Sequence, residues 1–100
     1  MNKTDLYNKF KQEYYQLDIE AIQARIYALE DNHEGLRHDW IETAERKDRE
    51  AQGVFNAMMH ILPNWSKYDV NEDTLELVGK LGEKRSELAR LQQQLQKEAA

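Results

Sequence analysis

The sequence predicts an all-α protein, an antiparallel three-helix bundle or helical hairpin with coiled-coil-like seams. Three observations favour this fold class. In three long stretches, mostly apolar residues recur at spacings of four and three, which is the period of a helix face. Only four glycines and one proline occur in the 100 residues. The chain is 40% apolar and 33% charged, a composition typical of helical and coiled-coil proteins.

The first helix is expected over residues 4–31, with Thr4 as its N-cap. Its main seam has spacings of 4, 3, 4 and 3 and consists of Tyr15, Ile19, Ile22, Ile26 and Leu29. A second apolar row runs beside this seam and consists of Phe10, Tyr14, Leu17, Ala21, Ala24 and Ala28. Because two rows make a wide apolar arc, more than one neighbouring helix is needed to cover this helix.

The junction after the first helix leaves two interpretations open. Asn32 and Gly35 are poor helix formers, and Gly35 is suited to the position that follows a helix end. Asp31 and Glu34 match the capping pattern of a new helix. The apolar phase nevertheless continues as far as Trp40, as one unbroken helix would require. We expect a break here, so that the second helix folds back on the first.

The second helix is expected over residues 36–62. It ends before Pro63, because a proline disfavours helical geometry in the residue that precedes it. Its middle, from Glu45 to Glu50, is wholly charged. That segment therefore predicts a solvated face of mixed sign.

The third helix is expected over residues 73–97, after a polar loop over residues 63–72. Its leucine seam consists of Leu77, Leu81, Leu88, Leu91 and Leu95. These elements make one helical domain over residues 1–100. Because three helices leave the arc of the first helix partly uncovered, we expect a homodimer.

Charge and composition argue against several classes of protein. The net charge is −5, from 14 basic and 19 acidic residues, whereas nucleic-acid binding relies on a basic surface. Cysteine is absent, so disulfides and thiolate metal sites are excluded. No apolar run reaches the ~18 residues that span a bilayer, and the polar N-terminus does not resemble a secretory signal. We expect a cytoplasmic protein with no membrane contact and no direct nucleic-acid binding.

Two groups of residues are predicted to bind a partner protein. The first is an acidic corner made by Glu30, Asp31 and Glu34 at the helix junction, where negative charge would steer a basic partner. The second is the aromatic pair Trp65 and Tyr68 in the polar loop. Trp and Tyr are enriched among interface hot spots, although these two would alternatively cover the end of the bundle.

The favoured function is therefore a non-catalytic protein that binds another protein, as a small regulator or inhibitor. Small acidic helical proteins of phages and mobile elements, such as anti-CRISPR and anti-restriction inhibitors, give the class-level expectation. The expected partner is a basic protein that handles nucleic acid. No catalytic residue, cofactor or metal is expected.

Two alternatives remain open. A nucleic-acid-binding protein would use an N-terminal face on which lysines alternate with aromatic residues able to stack on bases. That face consists of Lys3, Tyr7, Lys9, Phe10, Lys11, Tyr14 and Tyr15. A small helical enzyme of chorismate-mutase-like architecture would need several convergent cations, for which Arg25 and Lys84 are the only indications. The Glu34–His38 pair offers too few ligands for a metal site.

Overall fold

The computed structural model describes residues 2–61 and 72–99 and confirms the all-α fold class. These residues form three long helices and no strand: α1 spans Lys3–Glu30, α2 spans Glu34–Ile61 and α3 spans Glu72–Ala99. Within the described part of the chain, no helix is apolar enough over a sufficient length to cross a membrane.

The helix α1 begins earlier than its sequence pattern predicts. Asn2 is the N-cap: its backbone is extended, and its side-chain oxygen accepts a hydrogen bond from the Asp5 N–H at 2.8 Å. Thr4, the predicted cap, therefore lies inside the first turn. Asn caps helices at least as well as Thr, so the earlier start is stabilised without Thr4. Asp5 also places a negative charge where the helix dipole favours it.

The chain leaves the helical conformation between α1 and α2, as expected. Asp31 is extended, and its N–H closes the last turn of α1 on the Tyr27 carbonyl at 3.0 Å. The Asp31 carboxylate then accepts a hydrogen bond from the His33 N–H at 2.9 Å. The first backbone bond of α2 runs from Arg37 N–H to the His33 carbonyl. Gly35 does not end α1; it lies in the first turn of α2, with no positive φ.

The central helix of the bundle is α1. One side of it contacts α2, for example through Glu20 and Lys47, whose carboxylate and ammonium lie 3.3 Å apart. Its other side contacts α3, where Asp18 and Arg85 are 3.9 Å apart. Among the described residues, no Cα atom of α2 lies within 8 Å of a Cα atom of α3. The bundle is therefore open. Relative to α1, which lies between them, α2 is antiparallel and α3 is parallel.

The two sides of α1 pack by different means. Towards α3, Tyr15 and Ile19 form a buried cluster with Leu81. Towards α2, the buried residues are mostly small. The antiparallel register places Ala24 opposite Ala44, and both are buried. Buried alanines therefore predominate on the side of α1 that faces α2, whereas Tyr15 and Ile19 fill the contact with α3.

The predicted seams are buried to different depths. In α1, Tyr15, Ile19 and Ile26 are buried, whereas Ile22 and Leu29 are only half-buried. In α3, Leu81 is buried, Leu77, Leu88 and Leu91 are half-buried and Leu95 is 40% exposed. The leucine seam is thus least covered towards the C-terminal end of α3.

Tyr14 is a half-buried phenol between the three helices. Burial raises its pKa above the usual value, and the nearby carboxylate of Asp18 raises the pKa further. The Arg85 guanidinium acts in the opposite direction and lowers the pKa, and Asp48 raises it again. The net effect is a raised pKa, so folding opposes ionisation of this tyrosine.

We expect the Tyr14→Phe variant to lose less stability than the wild type as the pH becomes alkaline. In the wild type, the unfolded chain releases the Tyr14 proton near pH ~10, before the folded chain does. The contribution of Tyr14 to the free energy of unfolding is therefore constant below that pH. It is lost as the pH rises towards the pKa of Tyr14 in the folded chain. Phenylalanine cannot ionise, so the free energy of unfolding should fall less steeply with alkaline pH. Urea unfolding from neutral to alkaline pH measures this; identical slopes in the two proteins would show that Tyr14 is not shifted.

Candidate partner-binding surface

The turn between α1 and α2, together with the helix ends beside it, forms the surface that we call the tip, residues 27–42. It contains five carboxylates and one arginine, so it accounts for four of the five net negative charges of the chain. These carboxylates belong to Glu30, Asp31, Glu34, Asp39 and Glu42. All but Asp31 are exposed, and Asp31 is half-buried. The tip is therefore the acidic end of the molecule.

The predicted acidic corner lies at the apex of the tip. Glu30 is the last residue of α1, Asp31 starts the turn, and Glu34 is the first residue of α2. A negative charge is favourable at the start of α2 but unfavourable at the end of α1, which has no basic residue in its last turn. Helix stability alone therefore does not explain the acid at the end of α1.

Sequence reasoning did not identify the exposed apolar residues of the tip. Leu36 is 49% exposed, Ile41 46% and Tyr27 44%, while Trp40 is half-buried. Leu36 and Trp40 continue the spacing of the α1 seam, which is typical of core positions. The turn restarts the helical phase, however, and α3 does not extend over α2 to cover these side chains.

Aromatic rings and carboxylates meet in an open hollow of the tip. The rings of Tyr27 and Trp40 pack across the two helices, with centroids 4.8 Å apart and planes tilted by 46°. The hollow is lined by Tyr27, Glu30, Asp31, Asn32, His33 and Trp40. A second depression adjoins it and is lined by His33, Glu34, Gly35, Leu36, His38 and Asp39. Such a mixed, open surface suits another protein better than an enclosed small molecule.

The loop residues predicted to bind a partner, Trp65 and Tyr68, lie outside the described residues. The described residues that flank them are Ile61 at the end of α2 and Glu72 at the start of α3. Both lie at the end of the bundle opposite to the tip. Each helix is roughly 40 Å long, so these two residues are far from the tip. The described helices therefore place the acidic corner beside Tyr27. The two chain ends that flank the loop lie far from this corner.

The N-terminal face needed for nucleic-acid stacking is largely packed inside the bundle. Tyr7 and Tyr15 are buried, and Phe10 is half-buried. Lys11 is 2% exposed, with its ammonium 5.8 Å from the centroid of the Tyr7 ring. Of the residues of this face, Lys3 and Lys9 are exposed. These aromatic rings do not form an exposed stacking platform.

The cations considered for an enzyme are paired with carboxylates. Arg25 of α1 forms an ion pair with Asp48 of α2. The Lys84 ammonium lies 3.6 Å from the carboxylate of Glu87 on its own helix. In residues 2–61 and 72–99, no three histidine, aspartate or glutamate side chains come together as a metal site. These two cations face different carboxylates and do not converge on one pocket.

Comparisons with models of protein families, with curated proteins and with solved structures found no match for this chain. A helical bundle is compatible with many unrelated functions, so the fold class does not indicate an activity. The tip is the feature of the described residues from which a function can be argued.

Proposed function

We propose that this protein is a non-catalytic binding protein that attaches to a basic, nucleic-acid-handling protein through its tip. The supporting observation is that carboxylates surround exposed apolar side chains at one end of the molecule. Negative charge would raise the rate of encounter with a basic surface. Tyr27, Leu36 and Ile41 would then bury apolar area in the complex and slow dissociation.

The proposed role is that of a small cytoplasmic regulator or inhibitor, of the kind that phages and mobile elements encode against restriction or CRISPR systems. An acidic tip would occupy a basic surface that otherwise binds phosphates. The buried rings of the N-terminal face make the nucleic-acid-binding alternative less well supported. The enzyme alternative is also less well supported, because Arg25 and Lys84 are each paired with a carboxylate.

The proposed function is tested by a pull-down of the tagged protein from its native host, read by mass spectrometry. We expect enrichment of a protein with a basic, nucleic-acid-binding surface. Because exposed charges are screened by salt, the captured partner should be recovered at low salt and largely lost at about 0.5 M salt. Recovery of an acidic protein would contradict the proposal, as would salt-dependent binding of the purified protein to oligonucleotides.

We also propose that the protein is a homodimer that covers the leucine seam of α3. Leu91 is half-buried and Leu95 is 40% exposed in the single chain. Light scattering on a sizing column should give twice the 11.9 kDa chain mass. The Leu91→Lys, Leu95→Lys variant should give the monomer mass and keep its helical spectrum. A wild-type monomer at tens of micromolar would show that the seam needs no second copy.

A further inference from the structure

We propose that the hollow beside Tyr27 and Trp40 binds one guanidinium group, the side chain of an arginine on the partner. This inference rests on the proposed function, because it specifies how the tip would hold a basic protein. Three features of the hollow point to a cation: an aromatic pair, carboxylates that are not paired with cations of the described chain, and the carbonyl end of α1.

The aromatic pair supplies the face on which a planar cation can stack. The tilt of 46° between the rings means that they diverge and do not stack face to face. Trp40 is half-buried, whereas Tyr27 is 44% exposed. The face of an aromatic ring is negative, and Trp and Tyr are strong cation–π partners, particularly for arginine.

The carboxylates of the hollow are available to an external cation. Many acids of the described helices form ion pairs within the chain; Glu20, Asp48 and Glu87 are examples. By contrast, neither Glu30 nor Asp31 has an ion pair with a described residue. A carboxylate accepts two parallel hydrogen bonds from a guanidinium, a geometry that an ammonium cannot match.

The end of α1 adds a fixed negative potential to the hollow. The last carbonyl groups of a helix have no partner within it and carry a partial negative charge. No basic residue occupies the last turn of α1. The Asp31 side chain is also oriented in advance, because it accepts the His33 N–H at 2.9 Å. The hollow therefore has the features of a cation site, and no cation of the described residues forms an ion pair with Glu30 or Asp31.

Tryptophan fluorescence tests this site directly, because the chain has only two tryptophans. In the Trp65→Phe protein, Trp40 is the only reporter. The probes are blocked Gly-Arg-Gly, blocked Gly-Lys-Gly, and the same peptide with citrulline, which has the shape of arginine but no charge. We expect a saturable change with the arginine peptide, half-saturation at several-fold higher concentration with lysine, and no change with citrulline.

A matched pair of variants separates the site from general charge effects. Asp31→Asn keeps an oxygen that can accept the His33 N–H, removes one charge from the hollow, and should raise half-saturation about tenfold, the loss expected for a charged hydrogen bond. Glu83→Gln removes one exposed charge from α3 and should change half-saturation less than twofold. Equal effects of the two variants, or equal responses to arginine and citrulline, would overturn the proposal. Equal binding of arginine and lysine would overturn its preference for a guanidinium.

The outcomes also distinguish this inference from the proposed function. If the peptides fail to bind but a basic partner is still captured through the tip, the arginine site is wrong and the proposed function stands. If the arginine peptide binds as expected but the pull-down recovers no basic protein, the site stands and the proposed function is wrong.

Discussion

Replacement of Ile26 by aspartate is expected to unfold the protein at room temperature. Ile26 is 0% exposed in the central helix. An ionised carboxylate at this position would be buried among apolar groups, which costs several kcal/mol or more. The total stability of a domain is only about 5–15 kcal/mol, so one such substitution is sufficient. The same change at Ile22 should be milder, because that side chain is half-buried and part of the new charge would remain hydrated.

Circular dichroism and thermal melting measure this effect. The matched control is Gln16→Asp, which adds the same charge to an exposed position of α1 and should keep the helical signal. Ile26→Val should lower the stability by only about 1 kcal/mol, since it removes one methylene. If Ile26→Asp melted at the wild-type temperature, α1 would not be the centre of the bundle.

The second large effect is expected for charge reversal at the tip. Changing Glu30, Asp31 and Glu34 to lysine moves the net charge from −5 to +1 and replaces attraction to a basic partner by repulsion. Electrostatic steering raises association rates by about 10- to 1,000-fold. The association rate should therefore fall by at least about tenfold at low salt, and the difference should shrink as salt screens the charges.

Unfolding is not expected to cause that loss. Lysine at position 30 lies at the end of α1, where the helix dipole favours a positive charge. Lysine at position 34 is unfavourable at the start of α2 by a similar amount, typically ~0.3–1 kcal/mol. These two dipole effects approximately cancel. Lysine at position 31 cannot accept the hydrogen bond from the His33 N–H, a loss of about 1 kcal/mol, so the variant should melt several degrees below the wild type and remain folded at room temperature.

The main features of the fold could be predicted because they are local. Helical spacing indicated three helices, and the weak helix formers near Asn32 indicated where the first one ends. The depth of burial could not be predicted in this way. Lys11 has the charge of a surface residue but is 2% exposed, because burial depends on the packing of the whole fold and not on the type of one residue. The choice of Asn2 over Thr4 as the cap was also missed, since both residues are good caps.

The candidate site could be predicted only in part, for the same reason. The acidic corner is contiguous in the sequence, so its charge was visible without a structure. The contact of Tyr27 with Trp40 depends on the antiparallel register of two helices, and no spacing rule within one helix indicates it. The exposure of Ile41 depends on the position of α3, which packs against α1 and leaves this part of α2 uncovered.

The most direct test of the tip as the partner-binding surface compares three baits in one pull-down from the native host. The baits are the wild type, the tip variant with Glu30, Asp31 and Glu34 changed to lysine, and a variant with three exposed α3 glutamates changed to lysine. Those glutamates are Glu76, Glu83 and Glu98, so both variants carry the same net charge. We predict that the wild type and the α3 variant recover the same basic protein and that the tip variant recovers at least about tenfold less of it. Equal recovery by the tip variant and the wild type would contradict the account.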